Sequence, residues 1–134
     1  MPELTQDQAR TLADGFLAAS RSVGDFRLDH FTEISDAEQV QLRGLQNALR
    51  QQSIDLTADA IRITLEGIKP SLARVGAVTK EVNDAVGKLK DVRRVIGIAT
   101  SFVSLGGAIL TGDPVAIAAA LGNTVTAVEE SDAD

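Results

Sequence analysis

A chain of 134 residues with 44% hydrophobic and 24% charged residues has the length of one domain and the composition of an ordered globular protein, which excludes a disordered tail and a polytopic membrane protein. The absence of cysteine and the single histidine exclude disulfides, thiolate metal sites, cysteine nucleophiles and a two-histidine metal motif within the chain. The net charge of −6 argues against nucleic acid as a partner, because phosphate binding is driven by Lys and Arg.

That charge is unevenly spread: residues 1–61 carry −5, residues 62–94 carry +4, and residues 95–134 carry −5 without a single base. With four Phe and neither Tyr nor Trp, the core must be built from Leu, Ile, Val and Ala, which favours helix seams over sandwiches. The start of the chain, Met1 to Asp7, lacks a basic segment followed by an apolar run. A cleaved secretory signal is therefore not expected, and the expected location is cytoplasmic.

In chain order, Thr5-x-x-Gln8 has capping-box spacing, and Leu12, Phe16, Ala19 and Val23 follow at helical steps, which predicts a helix over 5–23 ended by Gly24-Asp25. Phe26, Leu28 and Phe31 form an apolar connector expected to tuck into the core. Ser35-x-x-Glu38 is a second capping box and opens a helix over 36–52 that carries Val40, Leu42, Leu45 and Leu49. Residues 54–69 alternate in part as a strand would. The steps of four and three through Ile54, Ala58, Ile61, Leu65, Ile68, Leu72 and Val75 favour a helix, with Pro70 as a kink or restart.

From there Val75, Val78, Val82, Ala85, Leu89, Val92, Ile96, Ala99 and Val103 alternate three and four residues through four heptads, the pattern of a coiled-coil seam. Read as one helix over 71–106, this segment would be roughly 50 Å long and is expected to project or to pair with another copy. Thr111-Gly112-Asp113-Pro114 then combines a left-handed C-cap at Gly112, an N-cap oxygen at Asp113 and a first-turn proline at Pro114, a helix stop and immediate restart. The last helix spans 114–128, and residues 129–134 form an acidic tail. The expected fold is all-α: one domain over 1–134, an antiparallel helical bundle with one long coiled-coil-like helix and a C-terminal apolar helical hairpin.

No catalytic constellation stands out. His30, flanked by Asp29 and Glu33, reads as a half-exposed connector residue. The glycines at 106, 107 and 112 lack the Lys-Ser/Thr of a phosphate loop, and the carboxylates Asp55 and Asp59, one turn apart, read as solvent-facing. The protein is expected to be no enzyme and to need no metal or cofactor. The basic segment 62–94 lacks interleaved aromatics and reads as a solvated face.

One constellation carries a function. Lys88, Lys90, Arg93 and Arg94 form a basic collar directly before the uncharged run Val95 to Gly112, and Pro114 to Val128 is uncharged as well. Cations at headgroup level beside an apolar hairpin suit an anionic membrane, and Gly97, Ser101, Ser104, Gly107 and Ala108 would let helices pack closely. A hairpin buried in a soluble bundle has the same pattern, and each arm falls short of the ~20 apolar residues of a stable span. The layout over Lys88 to Val128 resembles the α-helical pore-forming proteins, a resemblance that implies an apolar hairpin hidden until activation. Two functions follow as expectations. One is a self-associating helical bundle serving as a scaffold or interaction module, with a homo-oligomer or a helical protein as partner; the alternative is a conditional membrane-inserting protein of the pore-forming or lysis type.

Overall fold

The computed structural model of the chain describes residues 6–58, 65–88 and 91–132. Every regular element among them is helical: α1 (Gln6–Asp29), a 3-10 turn (Phe31–Glu33), α2 (Asp36–Ala58), α3 (Leu65–Lys88), α4 (Val92–Thr111) and α5 (Pro114–Asp132). Each helix buries an apolar stripe at three- and four-residue steps. On α1 it is Leu12, Phe16, Ala19, Val23 and Phe26; on α2 the heptad-spaced Leu42, Leu49 and Leu56; on α3 Val75, Val78, Val82 and Ala85. On α4 it is Val95, Ile98, Ala99, Phe102, Leu105 and Ile109, and on α5 Ile117, Leu121 and Val128.

The helices form a ring. α1 packs between α2 and α3, α4 between α2 and α5, and α5 returns against α3. α4 touches every other helix. Ser20 Oγ donates to the Gln46 carbonyl at 2.9 Å and Ser53 Oγ to the Ala13 carbonyl at 2.7 Å, so α1 and α2 run in opposite directions. Gly15 lies against Thr79, and Ser22 Oγ donates to Asn83 Oδ1, so α1 and α3 run in the same direction. The ring therefore mixes both senses, where an antiparallel bundle was expected.

Several expectations are corrected. The long helix over 71–106 does not form: α3 ends at Lys88, and Asp91 caps a new helix by accepting from the Arg93 N–H at 3.0 Å. That bond satisfies one of the orphan donors of the first turn. α1 runs through Gly24-Asp25 to Asp29. Gly24 marks a close approach inside the helix, since a Cβ there would stand 2.6 Å from Gln46 Nε2. Of the connector residues only Phe26 is buried, with Leu28 and Phe31 left 67% and 63% exposed. α2 continues past Gln52 to Ala58, its Ser53 used as an interhelical donor, and Ile54 points to solvent while Leu56 takes the core position. Pro70 lies inside α3, whose first residue is Leu65. α5 runs four residues beyond the expected stop at 128, and Thr5 and residues 59–64 lie outside the described residues.

The second capping box forms as its spacing implies: Glu38 N–H donates to Ser35 Oγ at 3.2 Å and Ser35 N–H to Glu38 Oε1 at 3.1 Å.

Candidate functional site

The hairpin α4–α5 is built on its turn. Gly112 adopts φ 72°, a left-handed conformation that costs an L side chain energy, and its N–H reaches the Ala108 and Ile109 carbonyls at 3.2 and 3.0 Å. Thr111 Oγ1 donates to the Ala108 carbonyl at 2.7 Å, and Asp113 Oδ1 accepts from the Val115 N–H at 3.0 Å. Residues 112–114 thus place α5 beside α4 with a single turn and cap both helix ends.

The seam residues do not form a free edge. Val75, Val78, Val82, Ala85 and Ala99 are buried by the chain's own helices, and Val92, Ile96 and Val103 are partly buried against the same core. Leu89 lies outside the described residues. The heptad spacing that suggested a second copy is used within one chain, divided between α3, which ends at Lys88, and α4, which starts at Val92.

The collar is split between the same two helices. Lys88 is exposed at the end of α3, Lys90 is outside the described residues, and Arg93 and Arg94 lie in the first turn of α4. Arginines there oppose the helix dipole. Asp91 offsets this, with its Oδ2 3.6 Å from Arg94 Nε.

What the two helices show to solvent sets them apart. The exposed line along α4 is Arg93, Gly97, Thr100, Ser104 and Thr111, with Gly107 partly exposed; along α5 it is Val115, Ala118, Ala119, Gly122, Asn123 and Thr126. Between Arg94 and Glu129 the only charge is Asp113 at the tip. Gly97, Gly107 and Gly122 have open space where a Cβ would stand. Gly44 and Gly76 are equally open, but one adjoins Arg43 and the other lies one turn from Lys80. Apart from Val115 and Asp113, the side chains the hairpin shows to solvent between Arg94 and Glu129 are therefore small and uncharged. α4 is 20 residues long and apolar enough to cross a membrane by length and composition, and 44% of its most apolar window is buried in the bundle.

Two concavities accompany this surface. A groove of about 460 Å³ between α3 and α5 has Val78, Ala85, Val125 and Val128 as floor and Arg74, Glu81, Asp84, Lys88 and Glu129 as rim. A smaller one of about 210 Å³ at the end of α1 is lined by Asp25, Asp29 and His30, among others. His30 Nδ1 is bonded to the Phe26 carbonyl at 3.1 Å and its ring stacks on Phe26, with centroids 4.2 Å apart. The imidazole thus has a local structural partner, the Phe26 carbonyl in the last turn of α1. Among the described residues no group of three His, Asp or Glu side chains could hold a metal ion.

Comparison with protein-family models, with curated proteins and with solved structures finds no match.

Proposed function

We propose that this chain is a non-enzymatic, self-associating helical bundle protein, a scaffold or interaction module of the cytoplasm, and that copies meet through the outer face of the α4–α5 hairpin. The supporting observation is the surface between Arg94 and Glu129, uncharged except for Asp113 at its tip. The outer faces of α1, α2 and α3 carry Arg10, Asp14, Arg21, Arg43, Arg50, Lys80 and Glu81, whereas two adjacent helices present none of this charge over more than four turns. Charged residues are depleted at the centres of protein interfaces, and small residues let helix backbones approach closely. Val115, 78% exposed, is a large apolar side chain on the same surface.

The reading is tested by sedimentation velocity over a concentration series. Wild type is expected to form a concentration-dependent oligomer and Ser104→Lys to remain monomeric with unchanged helicity. A wild type that stays monomeric at every concentration removes the reading.

A second reading, conditional insertion into anionic membranes, is favoured by the length and apolarity of α4. In it the hairpin leaves the bundle, with Lys88, Arg93 and Arg94 at headgroup level. Flotation with anionic vesicles, and dye release from them with and without acidification, tests it. Absence of both removes it.

A further inference from the structure

The contact that seats α4 in the ring contains a polar group in an otherwise apolar setting. Phe16 of α1 stacks on Phe102 of α4 with ring centroids 4.3 Å apart and planes 11° from parallel, both fully buried. One turn further along α4, Gly106 faces the same phenylalanine and the side chain of Gln52 from α2. A Cβ at this position would stand 2.5 Å from Gln52 Oε1 and 2.7 Å from Phe16 Cε1, so the three helices close here only because residue 106 has no side chain.

Gln52 Nε2 donates to the Val103 carbonyl at 2.8 Å, the polar bond that ties α2 to α4. Its other end, Oε1, is sealed from solvent and accepts from no donor among the described residues. Exchanging the two ends of the amide would not help: the Val103 carbonyl would lose its donor and face an oxygen. Either way one amide atom is buried without compensation. Leu42, Leu49 and Leu56 on the same helix are fully buried, so an apolar side chain of this length is available to the fold at the stripe beside it.

We propose that Gln52 is a conformational catch for the hairpin. Its Nε2 sets the register of α4 on α2, and its uncompensated Oε1 narrows the free-energy gap between the docked state and one in which α4–α5 has separated and the amide is hydrated. The seating of α4 is thus specific and less strong than an apolar side chain at position 52 would make it, while the α1–α2 pair keeps its own polar bonds when the hairpin leaves. This inference is independent of the oligomer reading and supplies the opening step that the membrane reading requires.

The test is native-state hydrogen exchange on the full chain, read separately for α1–α2 and α4. Gln52→Met keeps the length and removes the orphan oxygen. It should slow exchange in α4 about tenfold, with a smaller effect on α1–α2, and raise Tm by roughly 3 °C. Gly106→Ala should speed exchange in α4. Unchanged or faster exchange in Gln52→Met, or equal slowing in α1–α2 and α4, overturns the proposal. If Gly106→Ala fails to fold, Gln52→Glu replaces it, with faster exchange confined to α4 expected and no such acceleration counting against the catch. Anionic-vesicle flotation of the same variants separates the two ideas: altered exchange without vesicle binding by any variant keeps the catch and removes the membrane reading.

Discussion

The α1–α2 pair and the α4–α5 hairpin are both two helices joined by a short connection, and they are held together by different means. Across α1–α2, Ser20 and Ser53 each donate to a carbonyl of the opposite helix. In the hairpin the side-chain bonds of Ser104, Thr111, Asp113, Thr124 and Thr126 stay within one helix or the turn. The register of α1–α2 is thus fixed along its length, whereas that of the hairpin is fixed at one end, by residues 111–114, and by the seat at Phe16 and Gln52. Outside, the first pair is charged and the second neutral.

The comparison breaks most readily at the shared core. Phe102→Ala is expected to cost about 3–5 kcal/mol in denaturant unfolding, the range for a buried aromatic whose cavity cannot fully collapse. If the hairpin were a loosely attached appendage, the loss would be far smaller and the transition would split in two. Next, Gly112→Val should cost about 1–2 kcal/mol, because a β-branched residue is forced into a left-handed conformation. Ser53→Ala should cost about 1 kcal/mol, and hydrogen exchange should place the first loss in α4–α5 and the second in α1–α2. The smallest effect sharpens the reading of the collar. Arg93→Glu should stabilise the bundle by about 0.3–1 kcal/mol by favouring the α4 dipole, while weakening any binding to anionic vesicles. A destabilised Arg93→Glu protein would show that Arg93 has a structural role in the bundle.

Much of this fold is legible where the signal is local. The stop and restart at 111–114 and the box at Ser35 and Glu38 are read from residue types that satisfy backbone groups in place. The break before Asp91 was not legible from periodicity, since Leu89, Val92 and Ile96 keep three- and four-residue steps across it. Apolar spacing reports which face is buried and is blind to a helix break that preserves the count. Gly87 followed by Asp91 repeats in looser form the Gly112-Asp113 pairing and was the signal available. Gln52 and Ser53 were hidden for another reason: as polar residues in the helical pattern they read as surface, and only their distant partners, Val103 and Ala13, bring them inside. The neutral outer face was half legible. Its lack of charge is plain in the sequence, but which of its residues face solvent depends on where α4 sits in the ring.

That ring order also dictates how the chain must assemble. Ser20 and Gln46 are separated by 26 residues, Gln52 and Val103 by 51, and Ser22 and Asn83 by 61. Loop-closure entropy grows with the logarithm of that separation, and contacts between distant residues form slowly. The α1–α2 pair joins the residues nearest in sequence, and α3 lies on the far side of α1 without touching α2 appreciably. This leaves a gap between α2 and α3 that the last two helices fill. A chain in which α4–α5 has not yet docked therefore exposes Phe16 and Gln52 to water.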